Sequence, residues 1–214
     1  MSTSTNTFLK GGSSTLLCLK QDVKINQLSF NFQFAYQCSN YGFVSFIITK
    51  KVDHLPDLHR RPFSECPERL NRIFFKHCST KEEIINWCNY IQEEGVKPSV
   101  ILINEFDDFS GSNKFEPVEV SAALIDASNF LSEINRLNTC HLIISVKEES
   151  RFNSPPLWSL FNNIFLIEKS SEDIIANLVF PVKENSTQFK LYKGKDNSLE
   201  KAAAYNFLKI NYTQ

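Results

Sequence analysis

Five short apolar runs constrain this chain more than any other feature: Thr15–Leu19, Phe43–Thr49, Ser99–Ile103, Cys140–Val146 and Ile164–Ile167. In them apolar side chains fall on both parities, so a strand built from such a run needs cover on both faces. Segments with helical spacing lie between them. Asn26 can cap a helix that puts Leu28, Phe32, Ala35 and Tyr36 on one stripe and ends near Gly42. Thr80 with Glu83 three residues on forms a capping box, and the helix it opens runs through Ile84, Trp87, Cys88 and Ile91 to Gly95. Pro117 opens a longer amphipathic helix carrying Val120, Ala123, Leu124, Ala127, Phe130, Leu131 and Ile134. Doubly covered strands alternating with helices imply βαβ units. The expected fold class is therefore α/β: a mostly parallel sheet flanked by helices, in a single domain over residues 1–214 with 1–14 as a flexible lead.

Several weaker signals complete the pattern. Arg72–Lys76 reads as a further short strand after the irregular, proline-bearing stretch Lys50–Pro67, and Leu157–Phe161 as one turn of helix. Phe189–Tyr192 and Phe207–Tyr212 alternate like a closing antiparallel hairpin, although Ser198–Leu208 also suits a helix.

Charge and cysteine usage narrow the function classes. Lys and Arg number 23 against 24 Asp and Glu, which excludes a polybasic nucleic-acid binder while leaving room for a local patch. No apolar run approaches the ~20 residues of a membrane-spanning helix, so no membrane partner is expected. Leu16–Leu19 is interrupted by Lys20 without a small-residue cleavage site, so no secretory leader is expected. The six cysteines form no CxxC pair and read as free, small hydrophobes. Cys66, His77 and Cys78 lack the paired spacing of a zinc site, and no metal is expected.

A parallel α/β sheet carries its chemistry at the carboxyl ends of its strands. A phosphate-cradling loop needs glycines, a Lys and a following Ser or Thr. The turn after Leu19 reads Lys20-Gln21-Asp22-Val23-Lys24-Ile25-Asn26, with two lysines but no glycine. Gly11–Thr15 looks friendlier to phosphate but precedes the first strand. The run Val100-Ile101-Leu102-Ile103 ends in Asn104-Glu105, where a carboxylate would anchor magnesium. An amide is a poor ligand for a hard divalent cation. Were the strand to continue, Glu105 would point to the face opposite Asn104. Lys20, Lys24, Asn26, Asn104 and Glu105 thus form the remnant of a nucleotide site, and the chain is expected not to be an enzyme.

In their order, these segments resemble the small RecA-family recombinase paralogs of the Shu complex, in particular the ATPase-like subunit that associates with a SWIM-type zinc-finger protein. The resemblance rests on Leu16–Leu19, Val44–Pro56 (VSFIITKKVDHLP), Leu70–Phe75 with Ser79–Glu83, Lys97–Phe109 (KPSVILINEFDDF) and His141–Glu149 (HLIISVKEE), within residues 15–170. It implies a RecA-like core of P-loop NTPase type and work in homologous recombination and DNA repair. The implied role is that of a non-catalytic mediator subunit promoting recombinase filament assembly on single-stranded DNA. The implied partners are the SWIM-type protein, other recombinase paralogs, the recombinase and single-stranded DNA, in the nucleus and also the cytoplasm. No cofactor is expected to be needed; ATP is the one the resemblance leaves open.

Two further groups gain meaning from it. Lys50, Lys51, Arg60 and Arg61 form the densest basic stretch, suited to salt-sensitive contacts with DNA phosphates. Phe32 and Ala35 have the Phe-x-x-Ala spacing with which recombinases dock on neighbours, and equally the spacing of a core stripe. The alternatives are an active P-loop ATPase with a degenerate phosphate loop, using Lys20 or Lys24 and Glu105, and an unrelated α/β interaction protein.

Overall fold

The computed structural model describes residues 13–23, 26–52, 67–109, 116–135, 139–147, 155–170, 173–180 and 188–191. In chain order the elements are β1 (Ser14–Leu19), α1 (Gln27–Cys38), β2 (Val44–Ile48), α2 (Pro67–Leu70), β3 (Ile73–His77), α3 (Lys81–Asn89), β4 (Val100–Ile103), α4 (Glu116–Ile134), β5 (His141–Lys147), α5 (Pro155–Trp158), β6 (Asn163–Ser170), β7 (Asp173–Phe180) and β8 (Gln188–Leu191). Short 3-10 turns occupy Ile91–Glu93 and Phe106–Phe109.

The strands form one eight-stranded sheet in the order β3-β2-β4-β5-β1-β6-β7-β8. Pairings from β3 through β6 are parallel, and β6–β7 and β7–β8 are antiparallel. All six residues of β1 are buried, as its position between β5 and β6 requires. Alternation along the strands splits the core into two layers. Leu17, Leu19, Phe46, Leu102 and Phe165 pack beneath α1, whereas Leu16, Cys18, Ile101, Ile103 and Ile144 pack beneath α3, α4 and α5. The doubly apolar runs are explained by this three-layer arrangement.

The caps follow the residues that encode them. The side chain of Asn26 accepts from Ser29 N at 3.0 Å and starts α1. Thr80 Oγ1 accepts from Glu83 N at 3.2 Å, while the Glu83 carboxylate accepts from Ser79 N, one residue before the expected reciprocal partner.

Two expectations shift at their boundaries. Ser14 belongs to β1, pairs with Leu142 and is buried, so the lead stops short of it; residues 1–12 lie outside the described residues. The expected antiparallel C-terminal end is present: β7 follows β6 almost directly and pairs with it, and β8 pairs with the outer edge of β7, while Phe207–Tyr212 lies outside the described residues. The helical turn expected at Leu157–Phe161 sits slightly earlier, as α5. Among the described residues no helix is long and apolar enough to cross a membrane.

At the amino end of β5, His141 is buried with Nδ1 2.8 Å from Ser13 Oγ, and burial lowers its pKa to about 4. In the unfolded chain this imidazole takes its proton near pH 6.5. Its contribution to stability is therefore complete above pH 6.5 and is lost as pH falls toward 4, at up to about 1.4 kcal/mol per pH unit. Urea melts across that window should show the decline, and His141→Gln should flatten it; an equally steep decline in the variant would place its origin elsewhere.

Candidate functional site

The carboxyl ends of β1, β4 and β5 converge on the start of α1. There a buried amide-hydroxyl network ties helix to sheet. Asn31 Nδ2 donates to Asn104 Oδ1 and to Ser145 Oγ, each at 2.7 Å, and Gln27 Nε2 donates to Ser145 Oγ at 3.0 Å. Ser145 Oγ in turn donates to Ile103 O at 3.2 Å. Gln27 and Asn31 are one helical turn apart on α1, so both face the sheet. The side-chain oxygen of Asn104 is thus engaged by a neutral amide donor, in the position where a magnesium-anchoring carboxylate was sought.

Next to this network lies a cleft of about 440 Å³ lined by Leu19, Lys20, Gln21, Val23, Asn26, Gln27, Glu105 and Lys147. Of the residues assigned to the nucleotide remnant, it brings together Lys20, Asn26 and Glu105. Asn104 stands behind them in the network, and Lys24 lies outside the described residues. Lys20 Nζ makes a 2.7 Å ion pair with Glu168 of β6, and Asn177 Nδ2 hydrogen-bonds the other oxygen of that carboxylate. The first lysine of the turn is therefore directed toward β6. Asn26 is spent capping α1.

The strand alternation that would set Glu105 opposite Asn104 ends at Ile103, because β4 ends there. Glu105 instead adopts φ 50°, a left-handed conformation costly for a side chain with a Cβ, and from it lines the cleft. Asp107 is held elsewhere: its Oδ2 accepts from Lys147 N at 2.7 Å, pinning the turn after β4 to the end of β5. Among the described residues no three His, Cys, Asp or Glu side chains gather around a point where a metal ion could sit. The cleft carries one carboxylate, Glu105, and the cations Lys20 and Lys147, which suits a small polar or anionic group better than a bare metal ion.

The remaining candidates separate. Phe32 and Ala35 are both inside the core, Phe32 against Phe46 and Phe75, so neither side chain presents a docking surface and the core stripe accounts for their spacing. Lys50 and Lys51 follow β2 at the same end of the sheet as the cleft and are exposed, while Arg60 and Arg61 lie outside the described residues. Burial pushes the thiols of Cys38, Cys88 and Cys140 up to about 12 and that of Cys78 to about 11, where a nucleophilic thiolate is scarce at neutral pH. Sequence reasoning missed Gln27, Asn31 and Ser145. The available signal was polar residues where apolar ones were due: Ser145 within a buried strand run, and a Gln–Asn pair one turn apart on a core-facing helix.

No protein-family model matches the chain, and no curated protein sequence does. Among solved structures it is similar to one described as an ATPase domain, with a TM-score of 0.57 over 84% of this chain and 80% of that one, at 8% sequence identity. The sheet, its flanking helices and its antiparallel C-terminal end accordingly have the RecA-like architecture of P-loop NTPases.

Proposed function

We propose that this RecA-like domain is a non-hydrolysing recombinase paralog: a Shu-type mediator subunit that works by assembly. In this reading it joins a SWIM-type zinc-finger protein and other paralogs, and the complex promotes recombinase filament formation on single-stranded DNA. One observation carries the non-hydrolysing half: Asn104 stands in the metal-anchoring position and its side-chain oxygen accepts from Asn31. A hard cation there would meet a neutral oxygen already hydrogen-bonded. The turn after β1 has no glycine, and its Lys20 is paired with Glu168. The mediator half rests on the collinear resemblance of residues 15–170 and on the basic stretch that follows β2.

A second reading, a P-loop ATPase with a degenerate loop, is favoured by the likeness to an ATPase domain and by the cleft's position at the end of β1. Lys20 and Glu105 would then contact nucleotide. One experiment separates the two. The chain is purified with its SWIM-type partner, titrated with Mg-ATP in a calorimeter, and assayed for phosphate release and for recombinase assembly on single-stranded DNA. The mediator reading expects faster filament assembly with phosphate release at background. Sub-millimolar Mg-ATP affinity with turnover lost in Glu105→Gln would establish the ATPase, and failure to bind any recombination protein would remove the mediator role.

A further inference from the structure

Helix α4 has more apolar surface than its core contacts use. Val120, Leu124, Ala127 and Leu131 form the stripe buried against the sheet. Beside it runs a second stripe, Ala123, Ala127, Phe130 and Ile134, at steps of four, three and four residues. Phe130 is 37% exposed and Ile134 46%, and Tyr90 at the end of α3 is 55% exposed. Between this stripe and the end of α3 lies a groove of about 320 Å³ whose walls include Cys88, Asn89, Ile91, Ala123, Asp126 and Phe130. Continuous apolar surface of this kind on a helix face marks an interaction site.

The surrounding charge says what fits. Glu119, Asp126 and Glu133 recur every seven residues and are exposed, so at ~100° per residue they form a nearly straight acidic line beside the second apolar stripe. The stripe lies between that line and the core. Together α3, the 3-10 turn Ile91–Glu93 and α4 carry seven acidic residues and one basic one, Lys81. Beyond the turn Glu94 is paired with Lys76 at 3.2 Å, and Lys97 Nζ donates to the carbonyls of Ile91, Gln92 and Glu94. Lys81 is held near Glu82 and Glu119, at 3.8 and 3.7 Å. A heptad-spaced charge line flanking an apolar seam is the pattern by which helices select helical partners. A second copy of this chain would bring acid against acid, which disfavours self-association through this face.

We propose that the α3–α4 groove docks a basic amphipathic helix of a partner protein. Its large apolar side chains seat against Ala123, Ala127 and Phe130, and its Lys or Arg residues face Asp126 and Glu133. The site is on the opposite face of the sheet from α1 and does not depend on the nucleotide question or on the mediator role.

The test uses the full chain, isotopically labelled for NMR, and two synthetic helical peptides of ~18 residues, about five turns. Both carry Leu at i, i+3, i+4 and i+7 spacing; one has Lys at its remaining positions and the other Glu. The Lys peptide should bind, shift the amide signals of Ala123, Asp126, Ala127 and Phe130, and weaken as salt is raised. The double variant Asp126→Lys/Glu133→Lys, at exposed positions that leave the core intact, should weaken it about tenfold. The Glu peptide should not bind. Equal binding of both peptides, shifts centred away from α3 and α4, or affinity unchanged in the double variant would overturn the proposal. So would no binding of either peptide, as expected if another segment of the chain or a second copy already fills the groove.

Discussion

Replacing Phe32 by alanine should lower the unfolding free energy by about 3–5 kcal/mol. Its side chain is 1% exposed, and its ring meets Phe46 edge-on at 6.3 Å and Phe75 in a stacked arrangement at 5.8 Å between centroids. Truncation removes the transfer energy of a phenyl ring and both aromatic contacts. The cavity lies between α1 and the β2–β3 end of the sheet, and neighbouring rings can relax into it only in part. Against a typical total of roughly 5–15 kcal/mol, that is about a fifth of the stability or more. Phe32→Leu should cost far less, and Phe74→Ala, at a position 41% exposed, under about 1 kcal/mol. Urea midpoints for the three variants at constant slope would show the ordering; a loss below about 1 kcal/mol for Phe32→Ala would mean that α1 is not seated on the sheet. The result bears on function as well. A loss of partner binding in Phe32→Ala is expected from unfolding alone, so only a variant with an unchanged melt can argue for docking through this motif.

The fold was legible where burial is two-sided. A run such as Val100–Ile103 has no polar alternative on either face, so its strand and its central place follow from composition alone. Helix starts were legible wherever a side chain does the capping, at Asn26 and Thr80. The C-terminal meander was harder. Asp173–Phe180 contains an Asn and an Ala that break alternation, so it did not read as a strand, and a partner for Phe189–Tyr192 was sought downstream although β7 lay before it. The candidate site was legible only as a deficit. Missing glycines and a missing carboxylate can be read from residue types, but what occupies their place depends on tertiary contacts. Ser145 and Asn31 are 114 residues apart, and nothing local couples them. The left-handed backbone at Glu105 was equally hidden, since no glycine or asparagine marks it.

Restoring the carboxylate by Asn104→Asp should destabilise the protein without creating an ATPase. One oxygen of the new side chain can keep the 2.7 Å bond from Asn31, but the charge sits in a buried network whose other acceptors include Ile103 O. Desolvation raises the carboxyl pKa in the folded state, whereas the unfolded chain ionises near pH 4. Relative to the parent, stability is therefore lost as pH climbs from about 4 through the raised value, and the deficit is constant above it. About 3 kcal/mol is expected at pH 8, the low end for a poorly compensated buried charge, and much less at pH 5. Taking the difference from the parent at each pH removes the opposing contribution of His141, which both proteins share. Phosphate release should stay at background, because an acid at this position supplies one metal ligand but neither a glycine cradle nor a lysine released from Glu168, to which Lys20 stays bound. Hydrolysis appearing in Asn104→Asp and vanishing again with Glu105→Gln would show that the turn after β1 still grips triphosphate, and that one missing oxygen was all that kept the site silent.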